Sequence, residues 1–84
     1  MAVVMLPSLL AAEAGRSRFE VDAQTVEQAL RQLPVADLLL DEHGELRGLV
    51  NVYVDGEDIR HGGGLAAPVA DGQEVRVIAA IAGG

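Results

Sequence analysis

The stretch TVEQALRQLP, residues 25–34, constrains the fold more than any other part of this 84-residue chain. Thr25 followed three residues later by Gln28 makes a capping box, whose two side chains satisfy backbone donors that a helix start leaves free. Val26, Ala29, Leu30 and Leu33 recur at i, i+3, i+4 and i+7 and form one apolar stripe. Pro34 closes the helix, because the residue before a proline is pushed out of helical geometry. One helix with one stripe cannot bury itself. A flat apolar partner has to lie against it, and the flanking sequence offers short β-branched runs for that purpose.

Residues 2–6, AVVML, are a nearly continuous apolar run suited to a buried strand, stopped by Pro7. Residues 8–17 read as a connector that turns at Gly15. RFEV, residues 18–21, alternates with Phe19 and Val21 on one face, which makes a hairpin with the first strand. Residues 35–48 hold a short helix and a polar turn around Gly44. In residues 49–60, Val50, Val52 and Val54 point one way and Asn51 and Tyr53 the other, with Asp55-Gly56 as the turn to a short strand. Residues 61–73 read as a loop. EVRVIAAI, residues 74–81, gives a final strand with Val75 and Val77 on one face and Arg76 on the other. The order predicts an α+β fold, a mixed four- to five-stranded sheet packed on one main helix. That is the ubiquitin-like β-grasp shape, with residues 1–78 as the domain and 79–84 as a flexible C-terminal tail.

A chain this short builds one core. It has no cysteine, and Phe19 and Tyr53 are its only aromatic residues, so Val, Leu, Ile and Ala must fill that core. A net charge of −7 with so few stacking rings excludes nucleic acid as a partner and favours basic protein surfaces. All six cations are arginine. The opening MAVVMLPSLLAAEAG lacks the basic start of a secretory leader, and no run approaches the roughly 20 apolar residues of a membrane span. The expected location is cytoplasmic, with no membrane partner.

Little in the chain resembles catalytic apparatus. His43 and His61 sit in loops without a third ligand nearby in sequence, so no metal site is expected. Gly62–Gly64 lacks the lysine and the following helix of a phosphate loop. The pairs Asp41-Glu42 and Glu57-Asp58 point to opposite faces of extended chain and form no acid–base dyad. No cysteine, lysine or motif-flanked serine offers a nucleophile, so a stand-alone enzyme is not expected.

There remains the ending, VIAAIAGG. On physical grounds it reads two ways. It is a frayed end, as most termini are; or it is a working segment, since glycine without a Cβ threads slots closed to other residues. In the second reading Gly83 and Gly84 carry a free carboxylate into another protein's active site, with Ile81 as apolar anchorage behind it.

LVNVYVDGEDIR, then GGLAAPVADGQEVRVIAAIAGG, together with the capped helix and the early VVMLPSLL, resembles the MoaD/ThiS sulfur-carrier proteins, the CysO-like branch among them. The resemblance spans nearly the whole chain and implies the β-grasp fold. It further implies that a ubiquitin-activating-type adenylyltransferase consumes ATP to adenylate the Gly84 carboxylate. A sulfur donor, a sulfurtransferase or rhodanese-like protein, then makes a thiocarboxylate for a downstream sulfur-accepting synthase. No cofactor is bound by the carrier itself. Gly83, Ala82 and Ile81 would form the partner-binding tail, the apolar sheet face would dock on the enzyme, and Ile78 and Tyr53 would lie at that interface. The sulfur's destination stays open between cysteine, molybdopterin, thiamine and a sulfur-containing metabolite. Two further roles also stay open: a modifier joined to target lysines, and the small subunit of a molybdopterin synthase. A plain interaction module with an inert tail is a third.

Overall fold

Two apolar strands from opposite ends of the chain meet at the centre of the sheet in the computed structural model, which describes residues 1–79. β1 (Ala2–Met5) and β5 (Glu74–Ala79) run parallel, with Val4 beside Val75. β2 (Arg18–Val21) pairs antiparallel with β1, Phe19 opposite Val4. β3 (Val50–Val54) pairs antiparallel with β5, Val52 opposite Val77, and turns into the short β4 (Glu57–Asp58). The order across the sheet is β2-β1-β5-β3-β4. A mixed five-stranded sheet is the expected β-grasp arrangement, at the upper end of the expected strand count.

The helix α2 (Val26–Arg31) forms where the stripe and the cap predict it. The Thr25 hydroxyl accepts from the Gln28 N–H at 3.2 Å. Gln28 returns the bond to the Gln24 N–H at 2.8 Å, one residue upstream of the usual capping-box partner. Val26, Ala29 and Leu30 are fully buried and join Val4, Val52, Val75 and Val77 in one cluster. That packing replaces the aromatic and disulfide reinforcement that the composition lacks.

The connector of residues 8–17 differs from expectation. Residues 8–14 coil into a helix, α1 (Ser8–Ala14), closed by Gly15 at φ 92°, whose N–H donates to the Ala11 carbonyl at 2.9 Å. Leucine, alanine and glutamate are strong helix formers, and a left-handed glycine is a favoured stop. Leu10 turns into the core and Leu9 faces water. β1 and β2 still pair antiparallel as a hairpin does, with the helix as their link.

After α2 the chain makes the short α3 (Ala36–Leu39) and then the polar turn at Gly44. At the β3–β4 turn, Asp55 and Gly56 both take positive φ, 49° and 86°, as a tight hairpin turn requires. The Asp55 carboxylate accepts from the Glu74 N–H at 2.9 Å and so ties this turn to β5. The short strand expected up to residue 60 stops at Asp58, and a 3₁₀ turn, Ile59–His61, leads into the segment read as a loop, which holds a second one, Gly64–Ala66; Ile59, Ala67 and Val69 are buried.

Candidate functional site

The strand β5 delivers the chain to one end of the sheet. Its pairing runs through Ala79, opposite Val50, so the ladder includes the first residue of the segment read as a tail. Gly84, Gly83, Ala82 and Ile81 lie outside the described residues. The structure shows what surrounds Ala79, the last described residue, which is the departure point of the remaining chain in sequence only.

On one side of the departure point is the outer face of the sheet. Ile78 is 43% exposed there, opposite Asn51, and Tyr53 stands on the same face between Arg76 and Asp58. The two predicted interface residues are therefore diagonal neighbours on adjacent strands, within reach of each other across one face. Their surroundings correct the expectation of an apolar docking face. Arg76 pairs with Glu74 at 3.1 Å, and Arg18 with Glu20 at 3.8 Å, across a face that alternates charged residues with Val3 and Met5. The wholly apolar face of the sheet is the inner one, because period-two alternation sends Val75 and Val77 under α2.

On the other side is an aliphatic groove of about 710 Å³, lined by Leu9 and Leu10 of α1, Leu38 of α3, and Leu49, Val50 and Ala79. Sequence patterns did not point to it, since its walls come from four separate segments. Its rim is held by backbone contacts: the Arg47 N–H donates to the Leu39 carbonyl and the Val50 N–H to the Arg47 carbonyl, both at 3.0 Å. Arg47 Nε donates to the Asp37 carbonyl at 3.0 Å.

The polar clusters singled out in the sequence have structural work. Arg60 bonds to the Asp58 carboxylate through its guanidinium, at 2.6 Å from Nη2, and through its backbone N–H at 2.9 Å. These bonds hold the Asp58 carboxyl down at about 2. The Asp41 carboxylate accepts from the Glu45 and His43 N–H groups, which lower its pKa and shape the Gly44 turn. Among the described residues no three His, Cys, Asp or Glu side chains gather as a metal site, and no helix is long and apolar enough to cross a membrane. The Gly62–Gly64 run joins the two 3₁₀ turns, with Gly64 opening the second, and does not precede an α-helix.

The match to known proteins runs through the departure point and on to Gly84. The model of the ThiS family matches residues 6–84. The chain belongs to the ThiS family. This ThiS-family chain is 44% identical over 52 residues to the sulfur carrier protein CysO of Mycobacterium tuberculosis. That match covers 60% of the chain and 56% of CysO, so it spans little more than half the length of that curated relative. A chain of the Amycolatopsis orientalis BexX/CysO complex superposes with a TM-score of 0.84 at 30% identity, covering 100% of both chains. The small archaeal modifier protein 1 from Methanosarcina acetivorans superposes with a TM-score of 0.82 at 26% identity, covering 99% of this chain and 95% of that one. The β-grasp fold is thus shared with ubiquitin-like carriers.

Proposed function

We propose that this ThiS-family chain is a sulfur carrier whose working atoms are those of the Gly84 carboxylate. A partner adenylyltransferase of the ubiquitin-activating type transfers AMP from ATP to that carboxylate and releases pyrophosphate. Sulfide then attacks the carbonyl carbon, AMP leaves, and a thiocarboxylate remains. Where the persulfide of a donor protein attacks instead, the product is an acyl disulfide, and a second thiol cleaves its S–S bond, forming a disulfide with the donor and releasing the thiocarboxylate. Adenylation is needed because a carboxylate is a poor electrophile without a leaving group. The chain is a co-substrate in this scheme, and the catalytic groups and ATP belong to its partners. A sulfur-accepting synthase takes the product toward cysteine, molybdopterin, thiamine or a sulfur-containing metabolite; for molybdopterin, the chain would be the small subunit of that synthase.

The observation that carries this reading is the family match itself, which extends through Gly83 and Gly84. The likeness to CysO and to a chain of the BexX/CysO complex supports a carrier that works with partner enzymes. The likeness to small archaeal modifier protein 1 supports a second reading, in which the activated carbonyl is joined to lysines of target proteins.

Intact mass measured after incubation with the cognate adenylyltransferase, ATP and sulfide separates these readings. The expected result is the mass gain of one oxygen-to-sulfur exchange, abolished by deletion of Gly84. Adducts joined to lysines in cell extract identify the modifier instead. A mass unchanged by every cognate activating enzyme removes both.

A further inference from the structure

The chain ends with two isoleucines of opposite parity along β5. Val75 and Val77 turn into the core, Arg76 and Ile78 turn outward, and Ala79, back on the inner side, is part of the wall of the aliphatic groove. Ile78 is thereby committed to the outer face of the sheet. Ile81 stands two positions beyond Ala79, about 7 Å along an extended chain and on the groove's side of it. The ladder gives no cover there. Among the described residues β1 pairs with β5 only as far as Arg76, and before Val50 the chain turns away, the Val50 N–H donating to the Arg47 carbonyl at 3.0 Å. What Ala79 borders instead is the groove, where Leu9, Leu38 and Leu49 gather from three segments while remaining 58%, 43% and 55% exposed. Three such leucines around one opening form an apolar surface that one more aliphatic side chain would cover.

We propose that this groove is the seat of the chain's own Ile81, whose side chain lies between Leu9, Leu38 and Leu49 when the protein is free. Ile81 is the only large apolar side chain in residues 80–84, and that segment has no charged side chain. The groove calls for none, since Glu13 and Arg47, its charged lining residues, are of opposite sign. Gly48 on the same wall has no side chain of its own, which leaves width for a β-branched one. Burying one isoleucine returns free energy of the same order as ordering the residues that lead to it costs, so the seat is held reversibly. A partner that draws Gly84 into its active site empties the seat, and Ile78 and the outer face stay open to that partner throughout. The seat itself does not depend on the carrier reading; only its emptying by a partner does.

The test is NMR of the full chain with its Ile, Leu and Val methyl groups labelled. Nuclear Overhauser contacts are expected from the Ile81 methyls to those of Leu9, Leu38 and Leu49. Ile81→Ser abolishes these contacts and shifts the three leucine resonances more than those of Val3 on the outer face. Leu49→Ser, with residues 80–84 left intact, weakens the contacts that remain to Leu9 and Leu38. Thermal melts check that both variants fold. Ile81 methyls that contact Val3 or Tyr53 instead overturn the seat, as do contacts seen only between differently labelled copies, or none at all. A chain that is never loaded in the mass assay overturns the carrier reading and leaves the seat standing.

Discussion

The two surfaces that flank the departure of β5 differ in how they arise. The outer face of the sheet is a by-product of strand alternation: once Val75 and Val77 turn inward, Arg76 and Ile78 must turn outward, whatever the residues there do. The groove has no such geometric origin. Leu9 sits on the outside of α1, Leu38 on α3, and Leu49 in the turn before β3, where polar residues would fold equally well. The outer face pairs its charges within the chain and leaves Ile78 exposed among them, while the groove gathers Leu9, Leu38 and Leu49 without a charge pair between them.

That contrast can be broken or sharpened by measurement. The largest effect belongs to the groove floor, which is core. Leu10→Ala should cost about 2–5 kcal/mol in urea unfolding, since Leu10 is only 7% exposed and its removal leaves a cavity. Next comes the stop of α1, the helix that carries Leu9 and Leu10: Gly15→Ala should cost about 1–2 kcal/mol. A Cβ at Gly15 would meet nothing within 4 Å, so the cost comes from the left-handed backbone alone. The groove rim should behave as a surface, with Leu49→Ser within about 0.5 kcal/mol of wild type. A loss near that for Leu10 would make the rim part of the core and erase the difference between the two. On the outer face, Arg76→Ala should change stability by less than about 1 kcal/mol, and any difference should shrink in high salt.

The smallest effect is one of pH. Asp58 has its carboxyl held at about 2 in the fold by Arg60, below the usual carboxylate value. The unfolded chain therefore binds the proton first on acidification, and stability from this pair falls as pH drops from about 4 through about 2. Asp58→Asn should flatten that part of the stability profile and leave the slope above pH 5 unchanged.

Much of this architecture was readable before the fold was known. The α2 stripe and its cap are local signals, and the strands alternate or run apolar as their burial requires. The helix α1 escapes a reading by pattern because its inward stripe of Leu10, Ala11 and Ala14 is short and mostly alanine, and it lies beside an exposed Leu9. Its signal lay instead in strong helix formers ending at Gly15. The groove could not be read from pattern at all, because residues from positions 9 to 79 meet there only in three dimensions. The same holds for the outer face, where the pairing of Arg76 beside Glu74 and of Arg18 beside Glu20 replaces the apolar patch expected of it. Gly83 and Gly84 are legible as a motif, and the family match includes them, while the described residues stop at Ala79.

The central position of β5 has a consequence for biosynthesis. Until residues 74–79 have been made, the sheet exists only as two separate pieces, the β1–β2 pair and the β3–β4 hairpin, with nothing to join them. Two-stranded pieces are marginal in water, and the parallel β1–β5 contact closes a loop of nearly the whole chain. Folding therefore waits until β5 has been made. A chain cut short before residue 74 keeps only those two pieces and leaves their strand edges open to proteolysis.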